Sequence, residues 1–161
     1  MDHGEELDRC ENFGDVFELV KKTVKETLGR RRAGLMLVLS ELPMNVGAFH
    51  VIGSNAIVAN RRLFDRITKS ARSKREVNSF VYSILLHEYL HSLGYIDEKQ
   101  VRELVYEVTK ETFGSDHPAT SMSIRGPFAF FPEALHSGDP TIRQDFEIVR
   151  DFDRSNQTYI S

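Results

Sequence analysis

The chain has 161 residues, enough for one ordinary domain or a domain with a tail. With 40% hydrophobic and 28% charged residues it has the composition of a soluble globule, which excludes a mainly disordered chain. The formal net charge of −3 excludes the overall positive field of many nucleic-acid binders. The single cysteine, Cys10, excludes an internal disulfide framework and suits a reducing compartment.

The apolar run Leu35–Leu39 is far shorter than the ~20 residues a membrane helix needs, so no membrane span is expected. The acidic start Met1-Asp2-His3-Gly4-Glu5-Glu6 lacks the basic-then-apolar layout of a signal peptide, and a cytoplasmic location is expected.

Residues 1–11 read as a flexible N-terminus. From Asn12 to Leu28, Phe13, Val16, Phe17, Val20, Val24 and Leu28 recur with a helical period, and Gly29 closes that helix. The run Arg30-Arg31-Arg32 reads as a solvated helix end, where cations suit the dipole. Leu35–Leu39 predicts a buried strand. Ala48–Ile52 and Ala56–Ala59 predict two more, joined by the turn Gly53-Ser54-Asn55. A short helix is expected over Arg62–Lys69.

Ser73 followed by Glu76 is a capping-box signature, with Val77, Phe80, Val81, Ile84 and Leu85 behind it. That helix should run to about Leu93, with Gly94 turning the chain out. Asp97 with Gln100 starts another, carried by Val101, Leu104, Val105 and Val108 and ending near Phe113-Gly114. The stretch from Arg125 to Pro132 is aromatic and proline-punctuated, so regular structure is not expected there. A last amphipathic helix is expected from Thr141 to about Asp153. The division is a folded domain over 12–122 and a C-terminal extension over 123–161 that wraps or occupies something.

Residues 87–91 read His87-Glu88-Tyr89-Leu90-His91, an H-E-x-x-H on a predicted helix. Positions i and i+4 lie one turn apart on one face, so both imidazoles can reach one zinc ion (Zn2+) at ~2.0–2.1 Å. Glu88 lies beside them, placed to reach a metal-bound water. The stripe Phe80, Ile84, His87, His91 carries an inward-facing surface directly into the histidines, where bare imidazoles would need partners.

A third ligand should come from the helix after Gly94. Asp97 stands six residues after His91, but it also sits at an N-cap, where backbone N–H groups would occupy its carboxylate. Glu98 lies about 70° from the centre of the apolar stripe, whereas Glu103 and Glu107 lie about 150° and about 110° away. Glu111 also lies near 70°, but ~20 Å further along. Glu98 is therefore the chosen ligand and Asp97 the second candidate.

The run from His87 to Glu98, with the preceding Gly53-Ser54-Asn55-Ala56-Ile57-Val58 turn and strand, resembles the minigluzincins, small soluble zinc-metallopeptidase-like proteins, over roughly residues 12–122. The resemblance implies an α+β, zincin-like fold: a small sheet of three strands or slightly more on a backing helix, an active-site helix and a following glutamate helix. It implies a Zn2+ cofactor held by His87, His91 and Glu98, and a peptide or unfolded-protein substrate. Glu88 is then the general base, and a terminal segment could keep the enzyme latent. An edge strand within Gly47–Ile52 would hold the peptide. His117 and Tyr95 are candidates to stabilise the oxyanion, and His50 is left unassigned.

Two other readings follow from the same residues. A catalytically silent binding protein would have its zinc sealed by a fourth ligand, with His117, Asp116, Glu133, His136 and Asp139 as candidates. Ribosomal-RNA maturation endonucleases carry H-x-x-x-H-x-x-x-x-x-H, which His87, His91 and the following Leu-Gly-Tyr turn resemble, but here Asp97 stands in the third place. The acidic balance also disfavours an RNA substrate, and no nucleic-acid partner is expected.

Overall fold

The computed structural model describes residues 2–132 and 146–153. Among them the chain forms a mixed α+β fold with six α-helices and a four-stranded sheet. The helices are α1 (His3–Arg9), α2 (Phe13–Leu28), α3 (Arg61–Ser70), α4 (Lys74–Ser92), α5 (Glu98–Phe113) and α6 (Pro118–Arg125). The strands are β1 (Met36–Ser40), β2 (Ala48–His50), β3 (Ala56–Asn60) and β4 (Phe146–Ile148). No helix among the described residues is long and apolar enough to cross a membrane.

The sheet order is β2-β3-β1-β4. β2 and β3 form the expected antiparallel hairpin, with Phe49 opposite Val58. β3 then lies parallel to β1, Leu37 against Ile57 and Leu39 against Ala59. These four side chains are buried while Met36, Val38, Ser40, Ala56 and Val58 beside them are half-exposed, the period-two pattern of a sheet with one covered face. β2 is left as an edge. Asn60, fully buried at the end of β3, shares its amide N–H groups among the carbonyls of Leu42, Pro43 and Val46, and its Oδ1 accepts from the Leu42 N–H. It thereby fixes the loop that delivers β2. Asn60→Ala should cost about 2–3 kcal/mol in urea unfolding, because several buried backbone groups lose their partner at once.

Helix α4 runs through the middle of the molecule. It is buried on nearly every side and packs on α1, α2, α5, α6 and β2, which explains why its apolar residues do not keep to one stripe. Ser73 caps it as expected, its Oγ accepting from the Glu76 N–H at 3.2 Å.

Four expectations are corrected. Of the flexible end expected over residues 1–11, the described residues 2–11 are tied down: Asp2 caps α1, Leu7 is fully buried, and Asn78 donates to the carbonyls of Leu7 and Cys10. The arginine run is exposed at Arg30 and Arg31, but it is more than a solvated helix end. Arg30 donates to the Leu93 carbonyl (2.7 Å), and Arg32 to the carbonyls of Ser92 (2.7 Å) and Ser54 (3.0 Å). Both thus satisfy acceptors that the end of α4 leaves without helical donors.

The stretch Arg125–Pro132 is partly regular: Arg125 ends α6, in which Pro118 occupies the first turn where its missing N–H costs nothing, and residues 127–130 form a 3-10 turn. The described part of the expected helix over 141–153 contains a strand. β4 pairs antiparallel with β1, and the Val149 N–H donates to Leu37, so the open edge of β1 supplies partners that a helix would not use. Residues 141–145 lie outside the described residues.

Residue 122 is consequently no boundary of the core. Phe131 and Phe152 are both buried, and Phe152 stacks on Phe17 at 4.2 Å between ring centroids. β4 sits at the sheet edge opposite β2.

Candidate metal centre

The site is built by three elements: α4, the N-terminus of α5 and the β2 edge. His87 and His91 lie one turn apart on α4, their Nε2 atoms 3.2 Å from each other. Gly94, at φ +106°, turns the chain at the end of α4 in a conformation that side chains rarely adopt. The turn brings the Tyr95 carbonyl back over His91, whose Nδ1 donates to it at 2.8 Å. That bond places a proton on Nδ1 and leaves Nε2 as the ring nitrogen that faces the cluster.

Asp97 caps α5, its carboxylate accepting from the Lys99 N–H at 2.9 Å. Glu98, one residue on, turns to the histidines. Its Oε1 lies 2.6 Å from His91 Nε2 and its Oε2 3.2 Å from His87 Nε2. Of the two carboxylates, the structure brings Glu98 to the histidines, while the cap occupies that of Asp97. The same capping removes the third position of the endonuclease pattern from the cluster.

The three ligand atoms lie within 4.8 Å of one another and could hold a metal ion. Two ring nitrogens and a carboxylate oxygen converging this closely repel one another unless a proton or a cation lies between them. Tetrahedral zinc with ~2.0–2.1 Å bonds sets its ligands ~3.3 Å apart, close to two of the three separations here. The donor set, two imidazoles and one carboxylate, also suits zinc chemically. Burial lowers the pKa of His87 and keeps the ring neutral, as a ligand must be. For Glu98, burial raises the pKa, but the two histidines outweigh it and the net shift is downward, which favours the carboxylate.

Glu88 is 6% exposed and has no hydrogen-bond partner among the described residues. Burial pushes its carboxyl up to about 7, with smaller opposing effects from His91 and Glu98. A dication at the cluster would pull that value back down.

Glu88 faces two adjoining hollows that share His87 and Ala48 with it. One, of about 350 Å3, lies at the Gly47 end of β2, against α5 and α6. The other, of about 340 Å3, lies toward Phe49, Ile52 and Ile96 and contains the three ligands. The ligands thus lie partway along a cleft that follows the open edge of β2. Phe49, Ile52, Ile96 and Ile124 line it while 39–68% exposed, an apolar rim of the kind that marks a binding surface.

Other candidates fall elsewhere. His117 caps α6, its Nδ1 accepting from the Ala119 N–H, and its ring stacks on Phe113 at 4.4 Å. It feels the charges of Arg75 and Asp8 and not those of the cluster. Arg75 lies ~18 Å before His87 along α4, so the expected oxyanion role for His117 is corrected to a helix cap. The Tyr95 hydroxyl accepts from Arg30, and its contribution to the site is the main-chain carbonyl on His91. His50 lines the second hollow, but its Nε2 faces the Ser54 carbonyl at 3.0 Å and holds the hairpin turn. Asp116 and His117 are not part of the ligand cluster, while Glu133, His136 and Asp139 lie outside the described residues.

Two contributors escaped the sequence reading. The Tyr95 carbonyl has no side-chain signature. Arg102, one turn after Glu98 and lining the first hollow, reads in sequence as an ordinary exposed helix residue. No family model, curated protein or solved structure matches this chain.

Proposed function

We propose that this protein is a zinc-dependent metallopeptidase with a zincin-type arrangement of edge strand, H-E-x-x-H helix and glutamate helix. The observation that carries this reading is the convergence of His87, His91 and Glu98 beside a buried, unpartnered Glu88, in a cleft along an open strand edge. His87, His91 and Glu98 would hold the ion, and zinc there supplies Lewis-acid polarisation of the scissile carbonyl and a more acidic water.

Glu88 takes the proton of the attacking water and returns it to the departing amine nitrogen. Its position suits the task, since a buried carboxylate with no hydrogen-bond partner among the described residues is left to face the water. The unpaired backbone groups of β2 receive an extended peptide as an added strand, and the apolar rim covers its side chains. The Tyr95 carbonyl keeps His91 in the ligating tautomer.

Elemental analysis after metal-replete expression tests the centre. Wild type should carry close to one zinc per chain, and His87→Ala and Glu98→Ala should each lose most of it. Asp97→Ala should keep its zinc while losing about 1 kcal/mol of stability with the cap. A zinc-free wild type would overturn the metalloenzyme reading. Stoichiometric zinc without cleavage of unfolded casein would instead favour a silent binding protein.

A further inference from the structure

The hollow at the Gly47 end of the cleft has a chemistry that peptide hydrolysis as such does not require. Its walls are apolar: Ile84 from α4, Val105 from α5, Met122 from α6 and Phe128 from the 3-10 turn. Its lining also includes two cations, Arg102 on α5 and Arg125 at the end of α6. Both are exposed, and neither has an ion-pair partner among the described residues. Arg102 stands close enough to the ligands for its charge to act on His87. An apolar chamber with two guanidinium groups that have no ion-pair partner among the described residues, opening beside Glu88, is complementary to an apolar side chain that carries a carboxylate on the same residue.

A peptide with a free C-terminus and an apolar last residue presents that combination on one residue. We propose that this hollow receives an apolar C-terminal residue and that Arg102 and Arg125 bind its α-carboxylate, making the protein a carboxypeptidase. The inference rests on the metallopeptidase reading and adds its substrate class. Water breaks the last C–N bond: its hydroxyl goes to the carbonyl carbon and its hydrogen to the departing nitrogen, releasing one amino acid and a peptide one residue shorter.

Gly47 sets the room in the chamber. A Cβ there would lie 2.9 Å from Ile84 Cδ1 and 3.3 Å from the Phe128 ring, so a methyl group takes up room in the chamber and both neighbours must give way. Gly47→Ala should therefore discriminate against a terminal Leu or Phe relative to a terminal Ala.

The test uses the full chain, zinc-loaded, as Glu88→Gln, so that peptides bind without being cut. A peptide ending in leucine is titrated by calorimetry as the free acid and as the C-terminal amide, with zinc measured in the same sample. The acid should bind roughly 10-fold or more tightly, as charge-assisted bonds to guanidinium imply. Arg102→Ala combined with Arg125→Ala should bring the two affinities within roughly 2-fold of each other. With the wild type, mass spectrometry should show loss of single residues from the acid and none from the amide.

Equal binding of acid and amide at full zinc occupancy would overturn the carboxypeptidase assignment while leaving the metallopeptidase reading intact. So would failure of both to bind, or a preference for an internal Asp or Glu that survives amidation. A protein that holds no zinc overturns both readings together.

Discussion

Glu88→Gln should lower peptide-bond hydrolysis by roughly 10²–10⁴-fold while leaving the zinc content unchanged. The amide keeps the shape of the carboxylate but cannot take up a proton from water. Glu88 is outside the ligand set, so metal binding has no reason to fall. Nor should the fold weaken, because burial already penalises the charged form of Glu88 and a neutral amide avoids that cost. Turnover of casein or a short peptide, zinc analysis and a thermal melt on the same preparation check the three parts. Loss of zinc with Glu88→Gln would make Glu88 a ligand, and undiminished turnover would remove it from the mechanism.

Lys21→Met should destabilise the protein by about 3–5 kcal/mol in urea unfolding. The Lys21 ammonium meets Asp153 Oδ1 at 2.7 Å, with side-chain exposures of 9% and 2%, and the second oxygen of Asp153 accepts from the Leu35 N–H at 3.0 Å. Taking the lysine away leaves a carboxylate in a site that water does not reach, which is far costlier than losing a surface pair. Asp153→Asn should cost less, since the amide oxygen can still accept from Leu35 and Lys21 retains Glu18 at 2.9 Å. A double-mutant cycle between the two positions isolates their coupling. A cost below about 1 kcal/mol for Lys21→Met would mean that water reaches Asp153, and so that the segment around Phe152 does not dock on α2.

How far the site was legible follows from how local each part is. His87 and His91 could be paired from spacing alone, because a helix fixes the geometry of i and i+4. Choosing Glu98 over Asp97 was also possible, since an N-cap carboxylate and its neighbour face different ways. The role of His117 was not legible. The Ser-Asp-His-Pro stretch reads as a loop histidine near a possible cleft, and only the packing of α6 on α4 and α5 shows it capping α6 beside Arg75 and Asp8. The arginine run misled for a related reason: Arg30 and Arg32 look solvated unless the end of α4 is known to lie against them.

Sequence alone determined the positions of α2, α4 and α5, the β2–β3 hairpin, two caps and the grouping of His87, His91 and Glu98, because each is written in the spacing of nearby residues. Tertiary structure decided the rest. The order β2-β3-β1-β4 depends on pairings between distant segments, which carry no local signature. The strand at 146–148 exists because β1 offers a free edge, and residues 2–10 are ordered because α4 offers them a surface. Arg102 and Arg125 likewise become neighbours of one hollow only when α5 and α6 pack together, which no spacing along the chain expresses.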